Sequence, residues 1–73
     1  MRITVRLFAS FRAGRFREKV LEIQDEARVR DVVADLGLPS ACGILLVNDR
    51  HAALDDVLRE GDALHLFPPV GGG

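Results

Sequence analysis

Tryptophan and tyrosine are absent from this sequence, and four phenylalanines are its only aromatic residues. Surfaces that hold single-stranded nucleic acid set aromatic rings among basic side chains so that bases can stack. No such interleaving occurs here, so nucleic acid is not an expected partner. Cysteine is nearly absent as well: Cys42 stands alone, which excludes an internal disulfide and fits a reducing compartment. No apolar run approaches the roughly 20 residues that cross a bilayer. The segment after Met1 alternates charged and apolar residues instead of forming the apolar stretch of a signal peptide. The expectation is a cytoplasmic protein with no membrane contact. A glycine-rich phosphate loop ending in lysine is also missing, so the chain is expected to be a substrate of ATP chemistry and not its catalyst.

Neither sign of charge prevails, since ten basic and eleven acidic residues leave a formal net charge of -1. The distribution is uneven. Arg2, Arg6, Arg12, Arg15 and Arg17 crowd the start, and acidic residues dominate from Asp49 to Asp62. Such asymmetry either steers a partner or solvates two faces. Asp55, Asp56, Glu60 and Asp62 lack the alternating spacing and terminal bidentate glutamate of a calcium loop. The scattered His51, His65 and Cys42 do not form a zinc pattern. His65 has no evident nucleophile or orienting partner, and His51 reads as a surface turn residue. Cys42, in an Ala-Cys-Gly context without a second cysteine, reads as a structural thiol and not a persulfide carrier. No cofactor or metal is expected on this chain.

What is present is a short, well-patterned domain. With 73 residues, 48% of them hydrophobic, the chain supports one core but no deep walled cavity. A function completed by another protein follows. Ile3, Val5 and Leu7 alternate with Arg2, Thr4 and Arg6, which predicts a strand from Arg2 to Ala9; Phe8 departs from the polar side of that alternation. Ser10 to Arg15, containing Ala13-Gly14, reads as a connection to a second strand from about Phe16 to Ile23. Leu21 and Ile23 share one face of it, with Val20 out of phase.

Val29, Val32, Val33 and Leu36 fall on one helical stripe, stopped by Gly37 and Pro39. Its N-cap is ambiguous, because Asp25 lies too far upstream. Ile44 to Val47 predicts a central strand, Asn48-Asp49 a tight turn and His51 to Leu54 a brief return strand. A turn packed down by Leu58 and closed by Gly61-Asp62 leads to a last strand, Ala63 to Phe67. Leu64 and Leu66 are expected in the core, with His65 and Phe67 opposite. One helix covers one face of a sheet and leaves the other open. First and last strands paired between two hairpins would make a four- or five-stranded grasp around the helix.

Residues 1–67 are thus expected to fold, and residues 68–73 to form a flexible arm. Pro68-Pro69 ends the sheet and directs the chain along an extended path. After Val70, Gly71, Gly72 and Gly73 contribute no packing and have the greatest conformational freedom. A frayed terminus is the ordinary reading of such a tail. The abrupt change from a proline bracket to bare glycine favours an arm that enters a narrow channel in a partner and presents its carboxylate. That group is inert to nucleophiles until activated, most simply by adenylation with ATP on a partner that supplies the phosphate-binding groups and magnesium ion.

Leu7-Phe8-Ala9-Ser10-Phe11-Arg12, Val29-Arg30-Asp31-Val32, Val47-Asn48, Leu58-Arg59-Glu60-Gly61-Asp62, Phe67-Pro68-Pro69-Val70 and Gly72-Gly73 occur in this order. Together they resemble the small sulfur-carrier proteins of the ubiquitin-like β-grasp superfamily, in particular the small subunits of molybdopterin synthase. The resemblance implies an α+β fold, with a mixed four- or five-stranded sheet on one main helix. It implies that the Gly73 carboxylate is adenylated and converted to a thiocarboxylate, with Gly72 fitting the activating and acceptor sites. It further implies an E1-like adenylyltransferase that uses ATP and magnesium, a sulfur donor protein, and a large synthase subunit in a heterotetramer. There the sulfur would complete the dithiolene of molybdopterin. Gly71 stands where relatives have alanine or serine, the connection after Arg12 is short, and the usual threonine at the helix start is missing. Alternatives that remain are a carrier for thiazole or cysteine synthesis, a ubiquitin-like protein modifier, and a non-reactive binding module. Phe8, His65 and Phe67 would share the open face if the first and last strands are neighbours, making with Pro68, Pro69, Val70 and Gly71 a partner interface.

Overall fold

Strand alternation, carried through to packing, explains the architecture of this computed structural model, which describes residues 1–39 and 43–69. The elements are β1 (Arg2–Leu7), a 3-10 helix (Ala9–Arg12), β2 (Glu18–Glu22), α1 (Val29–Asp35), β3 (Ile44–Val47), β4 (Arg50–His51) and β5 (Ala63–Phe67). They form one five-stranded sheet in the order β2-β1-β5-β3-β4. β1 and β5 run parallel at the centre, Val5 opposite Leu64 and Leu7 opposite Leu66. The remaining pairs are antiparallel. This is the β-grasp arrangement anticipated from the sequence, first strand beside last with a hairpin on each flank.

The helix-covered face carries the core. Val5, Leu7, Val29, Leu64 and Leu66 are wholly buried, joined by Ile3, Val32 and Leu58. Burying each such side chain contributes roughly 1.5–3 kcal/mol, which is how a seven-residue, valine-rich helix holds its shape against weak intrinsic propensity. Its C-terminus is a Schellman motif: Gly37, at φ 70, donates its N–H to Ala34 O (3.0 Å), and Leu38 donates to Val33 O (3.1 Å). Leu38 is buried in the core, the apolar contact that commonly accompanies this motif.

The ambiguous N-cap has a tertiary answer. The Asp31 carboxylate accepts the N–H of the cap residue, Arg28, at 2.8 Å. The next two helix N–H groups donate outside the helix, Val29 to Asp56 O (3.0 Å) and Arg30 to Leu54 O (2.9 Å). The loop after β4 thus satisfies donors that a serine or threonine would otherwise address.

Several expected boundaries are corrected. β1 ends at Leu7, not Ala9, because Ala9 takes φ 51 and starts the 3-10 turn. That turn replaces part of the expected plain connection at Ser10–Arg15, and buries Phe11. β2 covers Glu18–Glu22, and not Phe16–Ile23. The return strand is Arg50–His51, not His51–Leu54; beyond it the Asp56 carboxylate accepts the Ala53 N–H (2.9 Å) and closes a turn. Leu58 packs that region down as expected. Asn48 and Asp49 both have positive φ (52 and 68) between paired Val47 and Arg50, the geometry of a two-residue hairpin whose twist suits its strands.

Candidate functional site

The uncovered face of the sheet follows from the same alternation, read in the opposite phase. Register aligns Glu18, Arg6, His65, Leu46 and His51 in one row across all five strands, and Phe67 with Ile44 in the next. Phe8, one residue beyond β1, donates its N–H to Leu66 O (3.2 Å) and so stays against β5. Its ring stacks on Phe67 with centroids 4.0 Å apart and planes 10° apart. The His65 ring meets Phe8 edge-on at 5.6 Å. Two guanidiniums flank the same ring, Arg6 at 5.2 Å and Arg12 at 5.6 Å from its centroid. Arg12 is held there because its Nε donates to Leu7 O (2.8 Å). Arg6 Nε is buried without a hydrogen-bond partner among the described residues. Ile44 and Val20 are exposed apolar residues on this face. The arrangement is an aromatic and aliphatic surface with cationic edges, suited to a protein partner and not to enclosing a small substrate.

This surface stands at the root of the C-terminal arm. Phe67 ends β5, its C=O accepts the Gly43 N–H at 2.9 Å, and Pro68-Pro69 follows. Phe8, His65 and Phe67, separated by up to 59 positions, are brought together here (Phe8 to Phe67 in sequence). Pro68 is half-buried and Pro69 exposed. Val70, Gly71, Gly72, Gly73 and Cys42 lie outside the described residues. His51 is exposed on β4, opposite Leu46.

Each of the acidic residues weighed for calcium has a local structural partner. Asp55 pairs with Arg30, and Asp56 caps its turn. Glu60 accepts the Arg2 N–H at 3.1 Å. Asp62 accepts from Asn48 Nδ2 (2.9 Å) and from the Arg59 N–H (2.8 Å), while Asn48 Oδ1 accepts the Ala63 N–H (3.0 Å). Asn48 and Asp62 therefore lock the β3–β4 hairpin to the start of β5, a structural reason for both motif elements.

Sequence reasoning placed Arg6 on the polar side of β1 but missed its approach to the Phe8 ring, and it missed Arg12, Ile44 and Leu46 as members of the open face and Gly43 as a contact of the arm's root. Ile44 to Val47 is apolar throughout, so alternation there cannot say which residues point inward; both faces of β3 bear apolar side chains. Gly43 carries a weak signal, a lone glycine immediately before a strand.

The fold defines a ubiquitin-like β-grasp domain, and comparison with known proteins narrows it. The ThiS family matches residues 5–73. The chain belongs to this ThiS family of ubiquitin-like sulfur carriers. It is similar to a Pyrococcus furiosus protein bearing the name molybdopterin converting factor, subunit 1, at 29% identity over 96% of this chain and 99% of that one, with a TM-score of 0.76. Small archaeal modifier protein 1 of Haloferax volcanii is similar at 30% identity over the whole of both chains, TM-score 0.74. A Helicobacter pylori structure, a complex of subunits 1 and 2 of molybdopterin-converting factor, shares the fold at 24% identity over the whole of both chains, TM-score 0.66.

Proposed function

We propose that this chain carries sulfur as a thiocarboxylate on Gly73 for molybdopterin synthesis in the cytoplasm. The observation that carries this reading is the family match running to Gly73, on a domain whose aromatic open face borders the root of the arm. An E1-like adenylyltransferase is the first partner. On it a Gly73 carboxylate oxygen attacks the α-phosphorus of ATP, assisted by magnesium, and pyrophosphate leaves. Sulfur from a donor protein, delivered at the sulfide level, then displaces AMP. The large synthase subunit is the acceptor partner, in a heterotetramer, and uses the thiocarboxylate to build the dithiolene. Phe8, His65, Phe67, Pro68 and Pro69 would dock both partners in turn, with Val70 and Gly71 continuing into the channel and Gly72 fitting its narrowest part. This chain supplies the reacting terminus and binds no cofactor itself. The subunit complex from Helicobacter pylori supports the choice of large-subunit partner.

A second reading is a protein modifier joined to lysine, favoured by the full-length similarity to small archaeal modifier protein 1. The two share adenylation and differ in the nucleophile. Incubation with the adenylyltransferase, ATP and a sulfur donor, followed by intact mass measurement, separates them. The carrier gains about 16 Da as sulfur replaces oxygen, whereas the modifier yields a lysine-linked adduct. Failure to form any thiocarboxylate in active mixtures refutes the carrier reading. Deletion of Gly73 should abolish sulfur transfer and leave the unfolding transition unchanged.

A further inference from the structure

Gly43 differs from the glycines that serve turns. Gly14, Gly37 and Gly61 have left-handed φ values and open space where a Cβ would stand. Gly43 has no left-handed φ, so its backbone conformation suits any residue. It lacks space instead. A Cβ at Gly43 would lie 2.8 Å from both Pro68 C and Pro69 Cα, and would press on Pro68 O. Carbon atoms sit at about 3.5–4.0 Å in favourable contact, so roughly 1 Å of movement would be needed.

The direction of that movement is constrained. Gly43 is tied to β5 by its N–H bond to Phe67 O (2.9 Å), and Ile44 next to it pairs with Phe67. Pro68 and Pro69 have no N–H and donate nothing to the ladder. The proline pair is therefore the side that yields.

We propose that Gly43 is a positioning residue for the C-terminal arm: its bare Cα is the surface against which Pro68-Pro69 rests, and this contact sets the direction in which the arm leaves the sheet. The inference rests on the carrier reading for its consequence, because direction matters only if Gly73 must reach a partner's reacting centre. An error of about 1 Å in presenting a reacting group can cost up to 100-fold in rate. Gly43 is not itself part of the docking surface, but Pro68 and Pro69 are, so its loss acts mainly on kcat through a misdirected Gly73 and to a smaller extent on KM through the displaced prolines.

The test is Gly43→Ala in the full-length chain, with Gly37→Ala as a control that strains a turn far from the arm. Amide NMR shifts of Val70 and Gly71 should move in Gly43→Ala while those of β1 and β2 stay in place. Unmoved Val70 and Gly71 shifts overturn the proposal. In adenylation by the activating enzyme with ATP, Gly43→Ala should lower kcat about tenfold or more, with a smaller rise in KM for the carrier as Pro68 and Pro69 shift, and Gly37→Ala should change neither. A kcat within twofold of wild type also overturns it. Pro69→Gly frees the root without adding an atom at residue 43, so the Val70 and Gly71 amide shifts should move in it even if Gly43→Ala fails to fold. If the wild-type chain itself is never adenylated, the carrier reading fails, and the NMR shifts alone decide whether Gly43 directs the arm.

Discussion

Leu66 and Phe67 are adjacent in β5, yet Leu66 is wholly buried beneath the helix, whereas Phe67 lies half-buried on the bare side, stacked on Phe8. The same opposition runs along β1, where Ile3, Val5 and Leu7 enter the core and Thr4 and Arg6 do not. One face is closed by α1 and holds the chain together. The other has no covering element among the described residues, yet it carries stacked rings, two flanking guanidiniums and exposed Ile44. A small domain devotes apolar surface to an uncovered face at a cost in solubility, so the difference separates the face that maintains the fold from the face proposed to meet a partner.

Three measurements bear on that separation. The largest expected effect is on the covered face: Leu66→Ala should destabilise by about 2–5 kcal/mol, read from urea unfolding at constant slope. In a domain of this size, that is a large fraction of total stability. Phe67→Ala, one residue away, removes a stacked pair worth roughly 0.5–1.5 kcal/mol beyond its buried area, but should weaken binding of the large subunit or activating enzyme tenfold or more by calorimetry. If Phe67→Ala lost stability as Leu66→Ala does and kept full affinity, the division between faces would be broken. The smallest effect belongs to the exposed pair Arg2–Glu22, 3.1 Å apart on β1 and β2. A double-mutant cycle there should give less than about 1 kcal/mol, diminishing further at high salt.

Much of this was legible in the residues. Alternation in β1 and β5 and the stripe from Val29 to Leu36 required only local periodicity, and the tail's proline bracket and glycines are visible without any structure. Other features depended on partners distant in the chain. The helix start has no sequence signal because Asp56 and Leu54 supply acceptors to Val29 and Arg30 from about 25 residues away. The 3-10 turn was hidden because Ala9 gives no hint of a left-handed φ, and Phe11 reveals its inward role only once there is a core beneath it.

Sequence by itself therefore determined the alternation of β1 and β5, the helix stripe and the sulfur-carrier resemblance, since each depends on near neighbours or on short local motifs. Tertiary structure decided which side of Ile44–Val47 faces outward, how Arg6 and Arg12 come to flank Phe8, and why a glycine precedes β3. Those outcomes are set by strand register and by the approach of Gly43 to Pro68-Pro69. Distances between segments 25 residues apart exist only after the chain has folded.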